Sequence, residues 1–175
     1  DQGDINNDGH LEWFATDMKP IDNSPQTLAA WLPLMEKAYL AQGQANTPQW
    51  RENVLQVPDQ QGGYHNDAYP RQLDATGWSW SGKFGDLDND GFLDLYVVNG
   101  MSAEDLLAHL TNGGLVEANQ ALRNDGEGQF RHQPAWQLDS TASGRGMSMA
   151  DLDLDGDLDL VINNLNSSAI LFENK

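Results

Sequence analysis

Three short segments carry side chains whose types and spacing suit a hard cation. The first sets Asp4, Asn6, Asp8 and Glu12 around Gly9, and the second sets Asp86, Asp88, Asp90 and Asp94 around Gly91. The third sets Asp151, Asp153, Asp155 and Asp159 around Gly156. Numbered from its first Asp, each loop has oxygen-bearing side chains at positions 1, 3 and 5, glycine at 6 and an acid at 9. Calcium takes six to eight oxygens at about 2.3–2.6 Å, and alternate residues of a tight loop can supply them. Glycine permits the sharp turn. At position 7 the backbone carbonyls of His10, Phe92 and Asp157 would be the next ligands, and the position-9 carboxylate would close each site.

Position 9 separates these loops from other calcium loops. An EF-hand is closed by Glu at position 12. Here those positions are Ala15, Val97 and Ile162, which cannot ligate through side chains. The nonapeptide Gly-Gly repeat of calcium β-rolls does not match. Magnesium prefers near-octahedral geometry with retained waters, which this many protein oxygens disfavours. The plainer alternative is three acidic turns held by Asx hydrogen bonds. Against it stands the clustering: 12 of the 27 acids fall in these segments. Like charges this close repel, and a divalent cation is the simplest remedy. The loops at Asp86 and Asp151 read as two calcium sites. The loop at Asp4 is a third, weaker one, with neutral Asn6 and the longer Glu12.

The net charge of −18 and only nine scattered basic residues argue against nucleic acid as a partner. No apolar run approaches the roughly 18 residues needed to cross a bilayer. No positively charged start followed by an apolar stretch is present, so no signal peptide is expected within these residues. A first residue of Asp1 rather than Met suggests a processed or truncated chain. With no cysteine, disulfides and thiolate metal sites are excluded. A length of 175 residues allows one domain with a real core.

The elements that must position the loops repeat with them. GDINNDGHLEWF, GDLDNDGFLDLYV and ADLDLDGDLDLVI begin at Gly3, Gly85 and Ala150. Their first Asp residues are 82 and 65 positions apart, a spacing that suggests propeller blades or another stacked β unit. The runs Leu93–Val98 and Leu158–Asn163 alternate as strands. GWSWSGKFGD and GRGMSMAD read as Gly-rich strands crowded together, as at a propeller axis. LRNDGEGQF, from Leu122 to Phe130, reads as a hairpin, with YHNDAYPRQL near Tyr64 as a degraded copy. Two helical insertions are expected, over about 24–43 and 102–112. The first has Ser24 as N-cap, Pro25 in the first turn, an apolar face of Leu28, Trp31, Leu32, Met35 and Leu40, and a kink or break at Pro33. Thr47-Pro48 is a candidate third turn of helix.

GDLDNDGFLDLYVVNG and ADLDLDGDLDLVINN resemble the FG-GAP/VCBS repeats, calcium-loop blades also found in the integrin α head. GWSWSGKFGDLDNDGFLDLYVVNG and LRNDGEGQF…GRGMSMADLDLDGDLDLVINN are similar to bacterial ASPIC/UnbV-associated proteins. The resemblance covers Gly77–Asn174 well and Asp1–Asp17 in part. It implies propeller blades, usually seven, with calcium between the first two strands of a blade, and export to the periplasm or outside. About two and a half to three blades are expected here, a partial or assembly-completed propeller forming one segment over 1–175. Its partners would be other chains or the remainder of the propeller.

Other chemistry finds less support. The four histidines lie apart without HExxH spacing, and GxSxG is absent. No enzyme activity is expected, since acids alternating around a glycine turn suit metal ligation better than glycoside hydrolysis. The six Trp residues leave sugar binding as an alternative. The reading is a mainly β, calcium-binding, extracellular or periplasmic protein for adhesion or assembly. Its alternative is a carbohydrate-binding or hydrolase-accessory module.

Overall fold

Repeated strand–loop–strand units become three antiparallel sheets. The structure is a computed structural model, which describes residues 1–41, 51–101 and 116–175, with backbone alone for 37–41. The expected helix at 102–112 and the turn at Thr47-Pro48 lie outside the described residues. Blade one joins β1 (Gln2–Gly3), β2 (Glu12–Ala15), β4 (Val54–Pro58) and β5 (Tyr64–Asn66) in chain order. Blade two is β6 (Gly77–Gly85), β7 (Asp94–Asn99), β8 (Gln120–Asn124) and β9 (Phe130–His132), with the short β3 (Met18–Lys19) beside β6. Blade three is β10 (Gly144–Ala150), β11 (Asp159–Asn164) and β12 (Ile170–Phe172). Each Asp loop joins the first two strands of its blade. The fold is mainly β, a set of partial propeller blades.

The blades share one register. Position 10 of each loop pairs with the third main strand: Trp13 with Gln56, Leu95 with Leu122, and Leu160 with Phe172. This alignment corrects one expectation. The counterpart of LRNDGEGQF in blade one is Gln56–Tyr64, not the segment after Tyr64. Asp59 and Asp125 make the same turn: Asp59 accepts from Gln61 and Gly63, Asp125 from Glu127 and Gln129. Letters alone pointed to Asn66-Asp67, but turn chemistry follows the Asp that accepts two N–H groups.

The core lies between blades rather than within them. Phe14 and Leu55 of blade one pack with Leu95, Val97, Leu122 and Phe130 of blade two. Tyr96, Val98 and Ala121 on the other face of blade two pack with Leu160 and Ile162 of blade three. Strand β6 touches both β1 and β10, so the first strands stand side by side. Glycines permit this crowding, as the Gly-rich strands suggested. A Cβ at Gly82 would lie 2.6 Å from the Phe14 ring, and one at Gly100 would lie 2.6 Å from the Ser143 Cα.

Helix α1 (Pro25–Ala41) is the first insertion. Ser24 caps it, its Oγ accepting from the Thr27 N–H at 3.3 Å. Pro33 does not split it. The proline costs only the bond to the Ala29 carbonyl, and both residues are exposed, so water can satisfy that oxygen. Leu28, Trp31, Leu34 and Met35 pack toward Met101 and Trp78. Leu32 is exposed and Leu34 takes its place, while the Leu40 side chain lies outside the described residues. A 3₁₀ turn at Pro134–Trp136, not foreseen, packs Trp136 on the second core cluster.

Candidate metal centre

The three loops fold alike because the same side chains organise the same backbone. Position 1 spends both oxygens on N–H groups: Asp4 on Asp8 and Gly9, Asp86 on Asp90 and Gly91, Asp151 on Asp155 and Gly156. Position 5 accepts from position 7, at 2.9 Å for Asp8 and His10, 3.0 Å for Asp90 and Phe92, and 3.1 Å for Asp155 and Asp157. The turn also needs left-handed backbone twice. Position 4 has φ of 57° at Asn7, 56° at Asn89 and 66° at Leu154, and the position-6 glycines have 86°, 90° and 103°. Asx bonds therefore hold the turns, as the plainer reading expected.

Those bonds also gather charge. Carboxylate oxygens of Asp86, Asp88 and Asp94 lie within 4.8 Å of one another, as do those of Asp151, Asp153 and Asp155. Two oxygens bound at about 2.3–2.6 Å to one ion can be up to about 5 Å apart, so both trios fit a single calcium. In loop one Asn6 takes the third position, and no trio of acids converges there. A cation in loop two would be held by Asp86, Asp88 and Asp94, and in loop three by Asp151, Asp153 and Asp155. It would neutralise carboxylates and pin the turn.

Position 9 is buried and does a second job. Asp94 accepts from Leu87 N–H at 3.0 Å and Asn124 N–H at 2.9 Å. Asp159 accepts from Leu152 at 2.9 Å and Asn174 at 3.0 Å. Glu12 accepts from Ile5 at 3.0 Å, but its Oε1 is buried without a partner. The register explains the gap: Pro58 occupies the place of Asn124 and Asn174 and has no N–H to give. Burial pushes the Asp94 carboxyl up to about 6, against those two N–H bonds and with help from the charges of Asp88 and Asp90. Burial also raises Glu12, and desolvation with the neighbouring Asp155 charge raises Asp153.

Several positioning residues escaped the sequence reading. Arg123 of β8 donates to Asp88 and Asp90, each at 2.5 Å. In loop three the same register position holds Glu173. Asn124 Nδ2 donates to the Ile5 carbonyl at 2.7 Å, and Asn174 Nδ2 to the Leu87 carbonyl at 2.9 Å, each reaching position 2 of the preceding loop. From position 4, Asn7 donates to the Gly91 carbonyl at 3.0 Å and Asn89 donates to Asp157. The recurring Asn after the third strand was the available signal. Of the Trp residues, Trp31, Trp78 and Trp136 are packed, Trp13 is open, and Trp80 lies 4.2 Å under the Arg145 guanidinium. Trp50 is outside the described residues.

Among the described residues, no helix is long and apolar enough to cross a membrane. No curated protein matches the chain. The FG-GAP-like repeat model matches residues 99–162, from the end of β7 through the β8–β9 hairpin and the whole of loop three into β11. The match supports an FG-GAP-like repeat protein, while the VCBS and ASPIC/UnbV likenesses rest on the motifs alone; over residues 99–162 the chain is similar to the FG-GAP-like repeat.

Proposed function

We propose that this chain is a calcium-stabilised propeller segment that serves adhesion or assembly outside the cytoplasm, without catalysis. The observation that carries the reading is the convergence of three carboxylates in each of two loops, within 4.8 Å. Calcium would be structural. Two ions take the formal charge from −18 to −14 (−18 + 4), and a third takes it to −12. The repeat similarity supports the same reading, including export. Isothermal titration of the metal-free chain with calcium tests it. Two equivalents with a higher melting temperature are expected; no heat and an unchanged melt would sink the idea.

Sugar binding is the second reading, favoured by the half-exposed rings of Trp13 and Tyr64. A glycan array decides it: signal lost in Trp13→Ala supports it, and a blank array removes it.

A further inference from the structure

Two asparagines clasp each pair of neighbouring loops, and every clasp leads to a loop carboxylate. The backward clasp comes from the hairpin. Asn124 gives its backbone N–H to Asp94 at 2.9 Å and its side-chain amide to the Ile5 carbonyl at 2.7 Å, while the Ile5 N–H reaches Glu12 at 3.0 Å. Asn174 repeats the arrangement one blade on. Its N–H goes to Asp159 at 3.0 Å and its side chain to the Leu87 carbonyl at 2.9 Å, while the Leu87 N–H reaches Asp94 at 3.0 Å. The position-9 acids Glu12, Asp94 and Asp159 are therefore joined by one path of hydrogen bonds. Ile5, Leu87 and Asn124 along it are buried, where hydrogen bonds are stronger than in water.

The forward clasp comes from position 4. Asn7 donates to the Gly91 carbonyl at 3.0 Å, and the Gly91 N–H donates to Asp86 at 2.9 Å. Asn89 donates to Asp157, whose own N–H donates to Asp155 at 3.1 Å. Asn89 sits between Asp88 and Asp90, and Asn174 grips the peptide that leads from Leu87 into Asp88. Blade three thus holds loop two on both sides of Asp88.

Such links carry a signal only between elements that have two states. The Asp-rich loops qualify. Without a cation, three carboxylates with oxygens within 4.8 Å of one another repel; with one, the same oxygens are drawn together.

We propose that loops two and three bind calcium cooperatively, the order gained in one loop being handed to the other through Asn89 and Asn174. The proposal rests on the calcium reading above and adds the linkage between its sites. The sign of the effect is diagnostic. Two cations repel, and each neutralises acids that would attract the other, so electrostatics alone makes the second ion bind no tighter than the first. A tighter second ion needs the clasps. Linkage is reciprocal, so loop two helps loop three by the same factor.

Calorimetric titration of the full chain tests it, in an Asp4→Asn background that silences the first loop. Asp86→Asn and Asp151→Asn each leave one site and give its association constant alone. With both sites intact, the product of the two constants should exceed the product of the single-site values about fivefold or more. Asn89→Gly suits the left-handed φ of 56°, and Asn174→Ala keeps the backbone bond to Asp159. Each should bring that ratio back toward one while two equivalents still bind, with circular dichroism checking the fold. In the Asp86→Asn chain, the Asn89 side-chain amide should shift in the NMR spectrum as calcium fills loop three. A ratio of one or below overturns the proposal and leaves the calcium reading standing. So does a high ratio that both asparagine variants retain, or a single equivalent bound. No binding at all removes the calcium reading and the coupling together, so the two failures are told apart.

Discussion

Strands β7 and β11 follow nearly the same loop sequence, yet they live differently. Every residue of β7, from Asp94 to Asn99, is buried. In β11 the pattern alternates, with Val161 and Asn163 exposed. Blade two is clasped by a blade on each face, and blade three on one. The contrast extends into the loops. Loop two has Arg123 on two of its carboxylates and its Leu87 covered; loop three has Glu173 in place of that arginine and its Leu152 open. A repeat unit thus takes its energetic role from its neighbours as well as from its own residues.

The sharpest way to break this comparison is through packing. Leu95→Ala should cost about 2–5 kcal/mol, whereas Val161→Ala should stay within roughly 0.5–1 kcal/mol. Urea unfolding measures both, and equal costs would end the contrast. Calcium comes next. At a hundredfold excess over Kd it should stabilise by about 2.7 kcal/mol per occupied site. Asp151→Asn and Asp86→Asn should each remove one equivalent in a calorimetric titration.

Acid should affect the metal-free chain in the opposite direction from most carboxylates. Asp94 has a folded pKa of about 6, above the ordinary value of about 3.9. Its folded form holds the proton more tightly, so the stability it adds is full below about pH 4. That stability fades as pH rises from there through 6. Melting temperature should therefore rise as pH falls from 7 to 5, by roughly 1–2 kcal/mol of stability, and Asp94→Asn should flatten the slope. With calcium bound the rise should vanish, because protons and metal compete for the same carboxylate.

Smaller effects separate the loops further. Arg123→Gln should tighten calcium at loop two several-fold and leave loop three unchanged, since it frees Asp88 and Asp90. In blade one, Pro58→Ala supplies the N–H that Glu12 lacks. A hydrogen bond to a charged group contributes about 1.5–3 kcal/mol, against about 0.4–1 kcal/mol for added freedom of the unfolded chain. A net gain of about 1 kcal/mol in urea unfolding is expected.

Much of this was legible beforehand. The strands after Asp86 and Asp151 showed in alternating residues, the helix in Ser24-Pro25, and the crowding in the glycines of β6 and β10. The loops were legible because their chemistry is largely local, the Asp at position 1 serving backbone N–H groups four and five residues on. What escaped was everything that joins residues far apart in the chain. Arg123 reaches the loop of its own blade, while Asn124 and Asn174 reach the preceding blade, and the recurring Asn gives no sign of which residue it meets. The hairpin of blade one was misplaced for a related reason. Asn66-Asp67 copies the letters of Asn124-Asp125, but the register puts Pro58-Asp59 there.

Gly100 has the widest reach of these small features. Its missing side chain lets the backbone leaving β7 approach the backbone entering blade three, where even a methyl would come within 2.6 Å of the Ser143 Cα. Backbone cannot yield as a flexible side chain can. A side chain at residue 100 would have to push the end of β7 and the approach to β10 apart, so the spacing between blades two and three is held where the chain is thinnest.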